Sequence, residues 1–198
     1  NTNCKSINLV QFAQMSTIYL KSTFGIKEPK IGLLNIGTEE TKGNDLVKET
    51  AKLQQKKYRN QSGKFLLEGY KAIREAFDCG IVLDRVFVDK KHLSEYLFVG
   101  SAIIETTDAV LKKLSTTDSA PEAVAIGVQK EYDKRLLNSS KKVVLLENIK
   151  DLGNLGTIIR SSLAFGADAI ILYGDSVDIY NPKCVRASVG NLWKLPIF

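Results

Sequence analysis

Apolar residues recur at near-helical spacing from Asn8 to Lys21, where Leu9, Val10, Phe12, Ala13, Ile18, Tyr19 and Leu20 alternate with polar positions and Gly25 supplies a stop. After Pro29, the run Lys30-Ile31-Gly32-Leu33-Leu34-Asn35-Ile36-Gly37 is short, apolar and bounded by glycine, the pattern of a buried strand. A polar loop, Thr38 to Gly43, follows. Asn44 is placed to cap a helix through Leu46, Val47, Ala51 and Leu53 that continues into Gln54-Gln55-Lys56-Lys57-Tyr58. Helix, strand, loop and helix make an α/β segment over residues 1–53.

The pattern then changes to shorter alternating runs. Lys64 to Gly69 predicts a strand, Tyr70 to Phe77 a helix ended near Gly80, and Ile81 to Val88 a second strand. Two more apolar runs, Ala102 to Glu105 and Ala123 to Gln129, bracket a helix around Ala109 to Leu114. This alternation predicts a small three-layer α/β domain over 54–136. Lys130 to Lys142, charged and rich in Asn and Ser, reads as a linker. Beyond it, Val143-Val144-Leu145-Leu146-Glu147 is a strand, Asp151 to Gly156 a glycine-bearing turn, Thr157 to Phe165 a helix stopped by Gly166, and Ala169 to Tyr173 a second strand. Such a βαβ unit belongs to a parallel sheet. Pro182 suits the first turn of a further helix, expected to run to about Asn191 before a final strand at Leu195-Pro196-Ile197-Phe198.

Composition narrows the class. The three cysteines, Cys4, Cys79 and Cys184, are far apart and never in a Cys-x-x-Cys pair, so neither a disulfide framework nor a metal site is indicated, and a reducing, cytoplasmic setting is expected. No apolar run approaches the roughly 18 to 20 residues that cross a bilayer, so no membrane partner is expected. The net charge of +6 is compatible with a polyanionic partner, yet also common in proteins that bind none. The chain opens at Asn1 and stops directly after a strand-like run, as expected of a segment cut at both ends.

The strongest chemical candidate is the strand-turn-helix containing Asn154-x-Gly156-x-x-x-Arg160. In open α/β sheets, loops at the carboxyl ends of strands converge on the ligand crevice, and a helix N-terminus there favours anions. Asn154 lies in the turn. Arg160, one helical turn past Gly156, leans back toward the same crevice. The plainer alternative is a helix-capping Asn154 and a solvated Arg160. The segment lacks the Gly-x-Gly-x-x-Gly of a dinucleotide fold and the Gly-Lys-Ser/Thr of a phosphate loop. The single histidine, His92, sits in a polar, lysine-rich stretch and reads as a surface residue, not a catalytic base.

These residues carry a resemblance. Asp151 to Arg160, with the preceding Val143 to Asn148, the helix end Ala164-Phe165-Gly166-Ala167, and Asn181-Pro182-Lys183-Cys184-Val185-Arg186-Ala187-Ser188-Val189-Gly190 running into Leu195-Pro196-Ile197, resemble the SpoU (TrmH-type) RNA 2′-O-ribose methyltransferases. Gln55 to Gly69 and Leu114-Ser115-Thr116-Thr117 are similar to the ribosomal-protein-like substrate-binding domain that precedes that catalytic domain. The resemblance covers about residues 52–198 and implies a SPOUT (α/β knot) methyltransferase domain over 137–198, its knot incomplete.

It also implies methyl transfer from S-adenosyl-L-methionine to a ribose 2′-hydroxyl of rRNA or tRNA, with Asn154 and Arg160 at the reacting end. An arginine, with a pKa above about 12, keeps its proton, so Arg160 is expected to orient the target phosphate and stabilise the developing alkoxide. Asn154 would position Arg160 or the ribose. Arg186 and Ser188 are weaker substrate-binding candidates, or else indifferent surface residues. Cofactor-binding loops are expected beyond Phe198, leaving this chain without a complete cofactor site and inactive; the full-length protein is expected to dimerise.

RNA contact is expected at Lys56, Lys57, Arg59 and Lys64, with Tyr58 and Phe65 interleaved. The alternative is a solvated helix end with two core aromatics. A non-enzymatic RNA-binding module is the second functional reading.

Residues 1–53 fall outside this pattern. Gln14 to Lys21, Gly32 to Glu40 and Lys42 to Glu49 resemble an internal piece of the PlsX-type phosphate acyltransferases, which move an acyl group from acyl carrier protein to phosphate. The seam falls near Ala51-Lys52-Leu53-Gln54, and a chimeric reading frame is expected. A third functional reading is a fragment of such an acyltransferase; a helical adaptor is the alternative for the front segment.

Overall fold

The computed structural model describes residues 6–29 and 45–198. The strand expected at Lys30 to Gly37 and the loop after it lie outside the described residues. Two units are distinguished, residues 1–42 and 43–198. Among the described residues of the first, helix α1 (Ser6–Phe24) covers the expected helical run, and Tyr19 and Phe24 meet edge to face at 5.9 Å.

The second unit begins with α2 (Asp45–Lys52) and α3 (Lys56–Ser62), followed by β1 (Lys64–Glu68), α4 (Tyr70–Asp78), β2 (Leu83–Asp89), a 3-10 segment (Lys90–Ala102), β3 (Ile103–Thr106), α5 (Asp108–Leu114) and β4 (Ala123–Val128). The strands form one sheet in the order β1-β4-β2-β3, with β4 antiparallel to both neighbours and β2 parallel to β3. Side chains alternate across it. Phe65 and Leu67 of β1, Val86 and Val88 of β2, and Ala123 and Ala125 of β4 enter one apolar cluster. Leu66, Phe87, Val124 and Ile126 enter the other, where Leu111 and Leu114 of α5 cover them. Near-continuous apolar runs in these strands follow from having both faces covered.

One expectation is corrected here. The helix starting near Asn44 does not continue into Tyr58: it stops at Lys52 and restarts at Lys56. Leu53 is buried at the break, and Arg59 Nη1 donates to the Leu53 and Gln54 carbonyls at 2.8 Å each, so the carbonyls freed by the break are satisfied. Gln54 Nε2 points outward to the carbonyls of Lys113, Leu114 and Ser115. Val47 of α2 and Leu53 are buried in the second cluster, so the apolar stripe of α2 belongs to the sheet domain.

A connection with a short 3-10 segment (Lys134–Ser139) leads to β5 (Val143–Glu147), α6 (Leu152–Ala164), β6 (Ala169–Tyr173) and α7 (Pro182–Ser188). β5 and β6 pair in parallel, as expected, with Val143 opposite Ala169 through Glu147 opposite Tyr173. The chain end joins this sheet. Ile197 bridges Ile170, and Leu172 N–H donates to the Phe198 carbonyl at 2.8 Å.

The first cluster runs without interruption from the four-stranded sheet into this part, through Leu155 and Ile159 of α6, Ile170 of β6, Cys184 and Val185 of α7, and Leu192, Trp193 and Leu195. Phe65 lies 4.9 Å from Tyr180 and 5.1 Å from Trp193, centroid to centroid. Phe65 is therefore a core residue and not a base-stacking one.

Candidate functional site

The carboxyl ends of β5 and β6 point the same way, and their loops are tied together. Asn148, at φ 52, accepts the Asp175 N–H on Oδ1 at 2.9 Å; Ile149 N–H donates to Ser176 Oγ; Val177 N–H donates to the Ile149 carbonyl at 2.9 Å. The left-handed Asn148 sits against Gly174, where a Cβ would lie 2.4 Å from Asn148 Oδ1, so the turn requires glycine there. Lys150 Nζ is ion-paired to Asp175.

α6 begins immediately after. Its first helical residue is Leu152, not Thr157 as the glycines suggested. Asp151, in extended conformation, is the N-cap and accepts the Asn154 N–H at 2.7 Å. Asn154 is therefore not the cap. It stands exposed in the first turn and, with Asn148, Ile149, Lys150, Asp151, Thr157 and Ile158, lines an open hollow of about 480 Å3. Asp151→Ala is expected to cost about 1 kcal/mol of stability through removal of the cap, read as a shift in urea midpoint at constant m. An unchanged midpoint would mean water replaces the cap fully.

Arg160 is exposed and does not line the hollow. Six residues after Asn154 on one helix, it lies about 9 Å farther along the axis and roughly 120° around it. No hydrogen bond joins the two among the described residues.

The remaining basic candidates divide. Lys56 and Lys57 on α3 are exposed, and Lys57 Nζ lies 5.8 Å from the half-buried Tyr58 ring. Lys64 is half-exposed and pairs with Asp84 at 2.9 Å. Arg59, grouped with them on sequence, is 1 % exposed. Its Nη2 lies 2.6 Å and its Nε 2.8 Å from Asp178 Oδ2, and its Nη1 carries the two carbonyl bonds described above. That guanidinium is committed to the core.

Ser188 is equally withdrawn, neither substrate-facing nor on the surface. It is fully buried, and its Oγ donates to the Val185 carbonyl at 2.8 Å. Arg186 is neither free nor buried: Nη1 donates to Glu68 Oε1 at 3.0 Å and to Thr116 Oγ1 at 2.7 Å, with the side chain a third exposed.

α7 starts as Pro182 foretold, with Asn181 Oδ1 accepting the Lys183 N–H at 2.9 Å, but ends at Ser188, where Val189 and Gly190 both take positive φ. Its last turn crosses α6 at Gly156. A Cβ there would lie 2.5 Å from Ala187 Cβ.

His92 lies beside Asp89, 3.6 Å away, and lines a second, polar hollow with Lys91, Glu95, Asp108 and Glu122. Among the described residues no group of His, Cys, Asp and Glu is arranged to hold a metal ion. Burial pushes the Cys184 thiol up to about 12, which leaves it protonated and inert at neutral pH. No described helix is long and apolar enough to cross a membrane.

The residues that sequence reasoning missed are Asp178, Glu68 and Thr116, which only the fold brings to the two arginines. Asp151 was within reach, since an acidic residue directly before an apolar-periodic run is a capping signal.

A four-stranded α/β domain is packed on the opening βαβ of a parallel sheet, with an open hollow at the strand ends. Residues 44–125 match the MRM3-like substrate binding domain and residues 141–198 match the SpoU rRNA Methylase family. The 23S rRNA (guanosine(2553)-2′-O)-methyltransferase RlmP of Bacillus subtilis is 30% identical over 159 residues, covering 80% of this chain and 63% of that protein.

Among solved structures, the AdoMet-bound rRNA methyltransferase of Sinorhizobium meliloti is 30% identical with a TM-score of 0.68, covering 78% of this chain and 60% of that one. The SpoU methyltransferase AviRb of Streptomyces viridochromogenes, in complex with AdoMet, is 27% identical with a TM-score of 0.70, at 78% and 62% coverage. This chain thus spans about three fifths of these relatives' length. A separate similarity, 58% over 53 residues, is to the phosphate acyltransferase of Caldicellulosiruptor bescii and covers 27% of this chain and 16% of that enzyme.

Proposed function

We propose that residues 44–198 are the RNA-recognition domain and the opening of the catalytic domain of an S-adenosyl-L-methionine-dependent RNA 2′-O-ribose methyltransferase that acts on rRNA or tRNA. The observation that carries this reading is the order of the two matched domains, with Asn154 exposed in an open hollow at the carboxyl ends of β5 and β6. Asn154 holds the acceptor ribose. Arg160, unpaired among the described residues, takes the target phosphate and the charge developing on the 2′-oxygen. Lys56, Lys57 and Lys64 contact the RNA backbone. Arg59 and Ser188 are withdrawn from this set by burial.

The methyl group would come from S-adenosyl-L-methionine. The hollow's lining offers hydrogen-bonding groups of ribose size, but no aromatic side chain and no enclosed apolar slot for an adenine, and its one carboxylate, Asp151, is engaged as a cap. These residues do not fit the cofactor by themselves. We assign its binding to sequence corresponding to the part of the relatives' length outside the match, and we expect the protein to work in the cytoplasm as a homodimer when full-length.

The front segment, residues 1–53, is proposed as the acyltransferase-like piece, with the seam near Ala51-Lys52-Leu53-Gln54, in keeping with the 53-residue length of that similarity. Genomic amplification across that seam tests whether the junction exists.

The functional test has two arms. Titrating labelled single-stranded RNA with this chain over a salt series, the double variant Lys56→Ala/Lys57→Ala is expected to flatten the dependence of log K on log salt by roughly 1.4, about 0.7 for each phosphate no longer neutralised. Deleting the gene should remove one ribose methylation from rRNA or tRNA, restored by the wild-type gene and not by Arg160→Ala. An unchanged methylation map after deletion sinks the enzymatic reading.

A further inference from the structure

Glu68, the last residue of β1, carries a carboxylate only 3 % exposed. Ser115 Oγ donates to its Oε2 at 2.7 Å, while Thr116 N–H, Thr116 Oγ1 and Arg186 Nη1 donate to Oε1 at 3.2, 2.8 and 3.0 Å. Thr116 Oγ1 in turn accepts from Arg186 Nη1 at 2.7 Å. The carboxylate belongs to the MRM3-like domain, and so does Thr116; Arg186 belongs to the SpoU segment.

The way the arginine is held matters. A guanidinium pairs most strongly with a carboxylate through two parallel N–H bonds. Arg186 instead uses one nitrogen for both partners, which accounts for both Nη1 hydrogens. Its side-on fork, Nε–H with Nη2–H, has no partner among the described residues, and the side chain is 33 % exposed. That fork matches two oxygens of a phosphate. α7, which bears Arg186, is packed on α6 through the Gly156–Ala187 approach, and α6 presents Asn154.

Resting on the RNA-methyltransferase reading, we propose that Glu68 and Thr116 are positioning residues of the substrate-binding domain that lock Arg186 by Nη1 and present its free fork to an RNA backbone phosphate next to the acceptor nucleotide. The recognition domain then does more than tether RNA: it orients an arginine of the catalytic domain. Holding the fork in place before RNA arrives reduces the ordering cost of binding.

The test uses this chain, labelled oligouridylate as the probe, fluorescence anisotropy over a salt series, and circular dichroism as a folding control. Arg186→Ala should weaken binding about tenfold, as for removal of one charge-assisted hydrogen bond, and flatten the salt slope by about 0.7. Glu68→Gln keeps the Arg186 charge yet loosens its guanidinium; a loss of about threefold or more is expected. Combining it with Arg186→Ala should bring no further loss. If Glu68→Gln does not fold, Thr116→Val, which leaves Glu68 its Ser115 and Thr116 N–H donors, must show the same non-additivity.

A variant at Glu68 or Thr116 that lowers the melting temperature while affinity and salt slope stay wild-type would reduce the network to a structural one and overturn the proposal, as would an Arg186→Ala variant with wild-type affinity. If the wild-type chain shows no salt-dependent RNA binding, the broader RNA reading fails first, which is a different result.

Discussion

Replacing Arg59 with alanine is expected to destabilise the 43–198 unit by about 3–5 kcal/mol, the range for breaking a buried ion pair by removing one partner. The arginine and Asp178 side chains are 1 % and 11 % exposed, and they join α3 to the loop between β6 and α7. Its removal leaves the Asp178 carboxylate without its cation and the Leu53 and Gln54 carbonyls without their donor. Arg59→Lys should recover little. A single ammonium cannot reach Asp178 Oδ2 and both carbonyls in the fixed geometry of the guanidinium.

The double variant Arg59→Met/Asp178→Leu should be much less damaged than Arg59→Ala, because a desolvated pair replaced by apolar side chains is often neutral. Urea denaturation measures all three. A loss below about 1 kcal/mol for Arg59→Ala would put the pair in the class of exposed salt bridges, and the packing of the two domains would then rest on the continuous apolar cluster around Phe65, Tyr180 and Trp193 and on the Glu68–Arg186 pair.

The second large effect is expected at Gly156. In most helices Gly→Ala is stabilising, by about 1 kcal/mol. Here the added Cβ would lie 2.5 Å from Ala187 Cβ, 2.8 Å from the Ala187 carbonyl carbon and 2.9 Å from the Ser188 amide nitrogen. Two of those atoms are backbone and cannot rotate away, so α7 must shift. Overpacking of this kind costs about 1–3 kcal/mol; with approaches this short the upper end applies, and Gly156→Ala should be net destabilising by about 2 kcal/mol. Gly153→Ala is the control. The atom nearest its Cβ is the Asp151 Oδ1 carboxylate at 3.2 Å, a side chain that can adjust, so it should be close to neutral or stabilising. A Gly156→Ala variant more stable than the parent would show that the α6–α7 crossing is loose.

Gly156 also illustrates how far the site could be read from sequence. Asn154, Gly156 and Arg160 were found together by their spacing and by the resemblance they carry. The glycine was read as part of a turn, because two glycines near an Asn are the ordinary signature of one. It is helical instead, and it is there for close approach to α7. No local pattern announces a contact whose other half lies about thirty residues away.

The opposite error occurred at Arg59. Lys56, Lys57, Arg59 and Lys64 look alike as a basic cluster, but helical spacing does not tell which of them meets a carboxylate from a distant loop, and Lys56, at i relative to Arg59 at i+3, differs from it all the same. Arg59 faces Asp178, while Lys56 and Lys57 face outward.

The chain's own pattern determined strands β1 to β6 of the second unit and the helices α4 to α7, because period-2 and period-3.6 alternation is imposed by the burial of one face or stripe. It also determined the parallel pairing of β5 with β6 through the short helical crossover, and the start of α7 at Asn181-Pro182.

Tertiary structure alone decided which charged side chains are free to act. Arg59 and Ser188 are removed from the surface, Arg186 is gripped by a carboxylate from the other domain, and Arg160 is left exposed on the flank of α6. The reason is physical: the environment of an arginine depends on partners 119 and 118 positions away, Asp178 for Arg59 and Glu68 for Arg186, and folding alone brings them within 3 Å.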